Sequence, residues 1–405
     1  MPVSIRIRLS VMMFLNYVVW GAWYVTIDTY LTTTLKFSGT QAGAIFGTTA
    51  LASMISPFFV GLIADRLFAS EKVLAALHLV GAVLLYFVTK ATSFGTVYGI
   101  MFAYCLCYFP TLALTNSIAL QHMKNGGRDF PLVRVFGTFG WIAIGVTIGR
   151  LAVETSTVPF LLAAAASLAM SLFSLTLPHT PPPGKGKTIR AREILGLDAL
   201  VMFRKPAFAI FAAASVLACI PLTFYFSFTN DYLNDLHVSN AAGKMALGQV
   251  SEVGMMLVLP LLLRWMSVRN ILITGMLAWS VRYVLLAYGN ATNAVWMFYV
   301  AILLHGICYD FFFVTGQLYT DQEAPAHLRS AAQGLVTFLT YGVGMFVGSL
   351  ISGTTIDHFT STVGDVVSRN WQAFWLSSAL SAFVVLLLIA VFFRSRSKIE
   401  AHEAL

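Results

Sequence analysis

Apolar stretches long enough to cross a bilayer recur from Leu9 to Phe393 and occupy most of the 405 residues. A membrane helix needs about 20 mostly apolar residues, because its backbone polar groups must find their partners inside the segment. Hydrophobic residues make up 58% of the chain and charged ones 10%. Ordinary soluble domains carry about 25% charged residues, and the mean hydropathy here is +0.79. The fold class this dictates is an all-α integral membrane protein. A β-barrel fits badly, since the runs are continuously apolar rather than alternating at period two. No cleavable signal peptide is expected: the run starting near Leu9 is too long for one and lacks a small-residue cleavage site.

The runs predict twelve transmembrane helices, over 9–33, 40–64, 72–92, 95–122, 131–153, 157–178, 206–233, 240–266, 270–289, 293–317, 328–355 and 371–394. Lys and Arg then sort to one set of helix ends. That set includes Arg6, Arg8, Lys72, Lys124, Arg128, Lys185, Lys187, Arg204, Lys205, Arg264, Arg269, Arg329 and Arg394. Few cations fall at the opposite ends: Lys36, Lys90, Arg150 and Arg369. The positive-inside rule places the rich side, and with it both termini, in the cytoplasm. The net charge of +8 is explained by this topology, and no nucleic-acid partner is implied.

The longest break runs from Pro178 to Pro206 and contains Pro181-Pro-Pro-Gly-Lys-Gly-Lys187, which cannot sit in lipid. A short amphipathic helix is expected after it, over Arg190–Phe203. The break gives an N-terminal half at 1–178, a cytoplasmic linker at 179–205 and a C-terminal half at 206–405, each half with six helices. Two such halves resemble the plan of the major facilitator superfamily, which implies a substrate site between the halves near the bilayer midplane. Gly61-Leu-Ile-Ala-Asp65-Arg66 resembles that superfamily's signature loop, in which Gly61, Asp65 and Arg66 would form a conformational latch. Gly61 would let two helices approach, and Asp65 and Arg66 would cap and pair at a helix end.

Polar groups at membrane depth carry the functional reading. Glu252 lies in the apolar run Met245–Pro260, and Gln249, three residues earlier, shares its helix face. An ionisable group at that depth costs about 2.5–3.5 kcal/mol on insertion scales. Asp310 falls in the tenth predicted helix, Arg134 and Thr138 in the fifth, and Asn116 in the fourth. Desolvation and a nearby Arg push a carboxyl in opposite directions, so such a group can titrate near neutral pH. Glu252 is the expected proton-coupling switch, with Asp310 second. Arg282 and Asp28, nearer helix ends, read as static partners, and His78 and His305 as helix–helix packing groups. Aromatics recur beside these positions: Trp20, Trp23, Tyr24, Trp141, Tyr225, Phe226, Phe228 and Tyr309. A flat base or sugar could stack there, with Gln249 reading its hydrogen-bonding edge. Gly145-x-x-x-Gly149 and Gly344-x-x-x-Gly348 read as close helix contacts. The four cysteines lie inside apolar runs and read as packing thiols. No metal-site spacing, nucleophile–base pair or cofactor loop is present, so no metal, no cofactor and no enzyme activity are expected.

Several motifs together resemble the nucleoside:H+ symporter family of the major facilitator superfamily. They are Trp20-Gly-Ala-Trp23, Phe109-Pro-Thr111 with Asn116-Ser117, Phe130-Pro-Leu-Val-Arg134-Val-Phe-Gly-Thr138, Leu195-Gly-Leu-Asp198-Ala, Gln249-Val-Ser-Glu252, Tyr309-Asp310-Phe-Phe and Arg329-Ser-Ala-Ala-Gln333-Gly334. The resemblance implies nucleoside uptake coupled to protons across the bacterial inner membrane. It also implies that Arg134, Thr138, Gln249, Glu252 and Asp310 bind substrate or couple protons, and that Trp20, Asn116, Trp141, Tyr309, Thr223 and Phe226 complete the substrate contacts. In the family, amides stand where this chain has Thr223 and Phe226, and the position of His305 is commonly Tyr. The alternatives are a proton-coupled porter for another small polar solute, a sugar or nucleobase, and a non-transporting receptor on the same fold. A monomer is expected.

Overall fold

The computed structural model describes residues 2–59, 68–123, 126–182, 197–363 and 366–394. The chain is almost wholly helical. Its helices are α1 (Val3–Thr34), α2 (Gly39–Phe59), α3 (Ser70–Val88), α4 (Phe94–Gln121), α5 (Gly126–Leu151), α6 (Val158–Ser174), α7 (Pro206–Asp235), α8 (Ala241–Trp265), α9 (Val268–Tyr288), α10 (Val295–Glu323), α11 (Ala326–His358) and α12 (Trp371–Phe392). Ten of them are long and apolar enough to cross a membrane. Among the described residues, α2 falls outside that ten, as does α6 with 17 residues.

Helix ends follow local capping chemistry more than the limits of the apolar runs. Ser93, Ser267 and Asn370 accept from the backbone N–H groups of Thr96, Asn270 and Ala373, satisfying donors that a first turn leaves orphaned. α1 starts at Val3 rather than 9, because Ile5, Ile7 and their neighbours continue the helix through a cationic turn. α10 continues past 317 through a polar turn to Glu323. Among the described residues, three helices contain a π-helical turn, at Tyr30–Thr34, Asp310–Val314 and Phe338–Gly344. Each inserts an extra residue into a turn and so rotates the helix beyond it.

Two compact units emerge. The first comprises Met1–Phe37, Ala44–Arg190 and Ser239–Gly243; the second comprises Ser38–Gly43, Ala191–Val238 and Lys244–Leu405. In unit 1, Leu9, Met12, Met13, Leu74, Leu114 and Val133 bury against one another. A buried polar string crosses this unit: His78 bonds Asn16 at 3.1 Å and Ser167 at 3.0 Å, and Thr111 donates to Asn16 at 3.1 Å. His78 therefore ties helices together, as a satisfied buried polar group does.

In unit 2, Gly344 and Gly348 bring α11 against α7. A Cβ at Gly348 would stand 2.5 Å from the Thr223 hydroxyl and one at Gly344 2.9 Å from Cys219 Cβ. The Asp357 carboxylate accepts from the N–H groups of Gly39 and Thr40 at 2.6 and 2.8 Å, capping the first turn of α2. Between α11 and α12 lies an unanticipated hairpin, Thr360–Val363 paired antiparallel with Val366–Arg369. It carries Arg369 to Asp231 at 2.9 Å. Of the expected Arg190–Phe203 helix, residues 190–196 lie outside the described residues, and Leu197–Arg204 forms a 3₁₀ helix. Residues 183–196 of the expected linker, and Gly61, Asp65 and Arg66 of the latch motif, lie outside the described residues.

Glu154, in the turn between α5 and α6, is 3% exposed, and its Oε1 accepts from Ala242 N–H at 3.3 Å. Burial pushes its carboxyl up from the ordinary value, against the smaller pull of backbone hydrogen bonds. A raised folded-state value disfavours the ionised form, so stability is gained as pH falls through it and is reduced above it. Glu154→Gln keeps an acceptor and removes the charge. Its thermal midpoint in detergent should rise by about 2 °C at pH 8, with the gain shrinking toward pH 5. An equal gain at both pH values would show that the charge is not the cause.

Candidate functional site

In unit 2 the site is built on the contact between α8 and α10. Gly306 has no room for a side chain: a Cβ there would meet the Ser251 carbonyl oxygen at 2.4 Å. Gly248 lies against the His305 side chain, and the Ser251 hydroxyl donates to the Leu303 carbonyl. The next residue after Ser251 is Glu252, so this close approach brings its Oε2 to 3.8 Å from His305 Nε2. The Glu252 side chain keeps 23% of its exposure, whereas His305 is buried.

Behind His305 stands Arg282 of α9, fully buried. Its Nη1 lies 3.0 Å from His305 Nδ1, and its guanidinium sits 3.4 Å above the Tyr225 ring of α7. Tyr225 also stacks on His305, with centroids 5.4 Å apart. Arg282, expected as a static partner, is buried and paired with His305 and the Tyr225 face. A guanidinium on an aromatic face keeps some electrostatic compensation when desolvated.

Asp310 opens the π-helical turn of α10 and is fully buried. Neither of its carboxylate oxygens has a hydrogen-bond partner among the described residues. Tyr309 pairs its hydroxyl with that of Tyr341 on α11. Phe226 packs edge-on to His305 at 5.7 Å and, like Gln249, is half-buried. Thr223 is placed differently. It is fully buried beneath Gly348, and its hydroxyl donates to the Ile220 and Cys219 carbonyls of its own helix. It therefore offers no donor to a ligand.

In unit 1 the corresponding residues gather on α1, α4 and α5. Gly21, Gly137 and Gly140 let α1 and α5 cross closely; a Cβ at Gly140 would be 2.3 Å from the Phe14 carbonyl oxygen. The space at Gly137 admits the Tyr17 ring, over which the Arg134 guanidinium lies at 4.2 Å. Arg134 also donates to the Tyr17 hydroxyl. Trp20 stands at the centre of an aromatic cluster, 5.2 Å from Trp141, 5.3 Å from Tyr24 and 5.9 Å from Phe109. Its indole N–H has no partner among the described residues. Trp23 turns the other way, into the core, and donates to the Tyr104 hydroxyl at 3.0 Å. Thr138 and Asn116 are half-buried.

Each unit thus offers half-buried polar groups among aromatic faces, a chemistry suited to a flat, hydrogen-bonding ligand. Three participants were not singled out in the sequence for this role. Tyr17 had a faint signal, standing three residues before Trp20 on the same face. Tyr341 and the Arg282–His305 link arise from tertiary contacts alone. Among the described residues no cluster of His, Cys, Asp and Glu could hold a metal ion.

A family model described as "Nucleoside H+ symporter" matches residues 3–398. YegT of Escherichia coli (strain K12) is 38% identical over 398 residues, covering 96% of this chain and 93% of the relative. The xanthosine permease of the same organism is 32% identical over 405 residues, with 96% of both chains covered. Among solved structures, the nucleoside transporter NupG superposes with a TM-score of 0.88 at 28% identity, covering 96% of this chain and 99% of that one.

Burying Asp310 without a hydrogen-bond partner costs stability, of order 1–3 kcal/mol for an unsatisfied buried group and more when charged. Asp310→Leu should therefore raise the thermal midpoint in detergent, by about 4 °C. A lowered midpoint with intact folding would mean that the carboxyl is a stabilising structural group.

Proposed function

Because the chain belongs to the nucleoside H+ symporter family, we propose that it imports nucleosides by proton-coupled alternating access, with Glu252 as the coupling carboxylate. The chain is a multi-pass membrane protein of a transporter family, not an enzyme. The finer reading is a bacterial inner-membrane monomer with twelve spans in two six-helix halves, 1–178 and 206–405, and both termini cytoplasmic. The observation that supports the coupling role is the placement of Glu252: partly exposed, within the long apolar helix α8, and facing the buried His305.

The chemistry follows from that placement. Deprotonated, Glu252 holds a charge beside a polar centre; protonated, it is neutral and its helix can move in a medium of low polarity. Asp310 is the second candidate for the proton. Gln249, Phe226 and Tyr309 would meet the cargo from unit 2. Arg134, Thr138, Trp141, Asn116 and Trp20 would meet it from unit 1, with Trp20's unpaired N–H as a donor. The relatives' names, among them a xanthosine permease, support a nucleoside as cargo. Where the family carries amides on α7, the buried Thr223 and the aromatic Phe226 leave base stacking more prominent than ribose hydrogen bonding.

The test is uptake in proteoliposomes of labelled uridine, adenosine, xanthosine and a sugar panel, with and without an inward proton gradient. One charge moved through 100 mV supplies about 2.3 kcal/mol, enough for about a fifty-fold gradient of solute. Wild-type protein should accumulate nucleoside against its gradient. Glu252→Gln should abolish accumulation while retaining nucleoside exchange. Full pH-dependent accumulation by that variant would overturn the assignment, and saturable sugar uptake without nucleoside competition would overturn the cargo.

A further inference from the structure

The contact between Arg282 and His305 has a consequence in proton placement. A guanidinium has only donors and remains protonated in proteins. With Arg282 Nη1 at 3.0 Å from His305 Nδ1, Nδ1 must be the acceptor, so it carries no hydrogen. A neutral imidazole has one N–H, which then sits on Nε2. Nε2 is the atom that faces Glu252 Oε2 at 3.8 Å.

We propose that Arg282 is a positioning residue that fixes His305 in the Nε2–H tautomer, so that His305 presents a neutral hydrogen-bond donor to Glu252. The purpose of a fully buried guanidinium in α9 is thereby given. It cannot reach Glu252 as a direct ion partner through the imidazole, but it polarises the ring that does face the carboxyl. The gap of 3.8 Å is longer than a hydrogen bond, and an approach of about 1 Å closes it. The donor is then engaged when Glu252 is ionised and released when Glu252 takes a proton. A buried imidazole held this way does not itself become the proton carrier, because protonating Nδ1 would set two donors against each other.

The groups that surround the imidazole are compatible with this assignment. Tyr225 on α7 stacks on the ring and carries the guanidinium on its face. Glu252 approaches from α8 and Arg282 from α9. On α10 itself, Cys308, Tyr309 and Asp310 come after His305. Of these, Arg282 alone touches Nδ1 among the described contacts. The proposal rests on the coupling role assigned to Glu252 for its functional meaning, but the tautomer is an independent physical property of the protein.

The experiment reads the tautomer directly. Full-length protein labelled with ¹⁵N-histidine is placed in lipid nanodiscs, and the imidazole nitrogens of His305 are assigned by their loss in His305→Gln. The expected wild-type signal is a neutral ring with hydrogen on Nε2 and none on Nδ1, unchanged between pH 6 and 8. In Arg282→Met the signature should become a mixture of both tautomers, whereas Arg282→Lys, which keeps a cationic donor, should retain the wild-type form. An Nδ1–H or doubly protonated ring in the wild type would overturn the proposal, whether or not any variant folds. An unaltered tautomer in folded Arg282→Met would overturn Arg282's part in it. Proton-driven uridine accumulation is measured on the same samples. Normal accumulation by Glu252→Gln, with the expected tautomer intact in the wild type, would sink the coupling role and leave the tautomer assignment standing.

Discussion

The contact at Gly306 is the constraint on which the unit 2 site depends. A side chain at this position has nowhere to go, because the Ser251 carbonyl already occupies the space a Cβ would need. Only with a bare backbone can α10 lie this close to α8, and only then does Glu252 face His305. In a bilayer, apolar side chains gain little by leaving lipid for one another, so small residues set where helices meet. Unit 1 uses the same device at a different crossing. Gly21, Gly137 and Gly140 draw α1 against α5, and the gap at Gly137 is filled by the Tyr17 ring beneath Arg134. Both units set a cation against a tyrosine face: Arg134 on Tyr17 beside Gly137, and Arg282 on Tyr225.

Much of the fold was legible because a bilayer allows few solutions. Long apolar runs must be helices, and their approximate limits are set by where polarity returns. Details that depend on single side chains were not legible in that way. Nothing in Asp310–Val314 or Phe338–Gly344 announces a π-helical turn, since the extra residue is accommodated by packing. The hairpin at Thr360–Arg369 has strands of four residues, too short for a periodic signal to stand out. α10 outruns its apolar stretch because a polar turn at a helix end continues the backbone pattern at no cost in water.

The site was legible where chemistry is costly and obscure where it is ordinary. A carboxyl or guanidinium in an apolar run is conspicuous, so Glu252, Asp310 and Arg134 could be singled out. Their partners could not, because tyrosine and histidine are common in such helices. Tyr17, Tyr341 and His305 acquire roles only through the neighbours that folding supplies. Thr223 shows the reverse case. It was expected to contact a ligand, yet Gly348 brings α11 down upon it and its hydroxyl turns to its own helix. A motif position states which helix face a residue shares, and the contact above that face decides whether a ligand can reach it.

The distribution of polar groups also separates two kinds of burial. In unit 1 His78 bonds Asn16 and Ser167 and Thr111 donates to Asn16, a network that can hold helices in register even though the Asn16 amide nitrogen has no partner among the described residues. Asp310 is buried with no hydrogen-bond partner for either oxygen among the described residues, while Arg282 meets the imidazole and an aromatic face but keeps Nε and Nη2 without partners among them. Groups left in that condition favour a change of charge or a new neighbour over staying as they are. A transporter needs such a bias, since a site satisfied in one state alone has no reason to leave it. The bonded network of unit 1 therefore belongs to the scaffold, whereas Asp310 and Arg282 keep buried polar atoms without hydrogen-bond partners among the described residues.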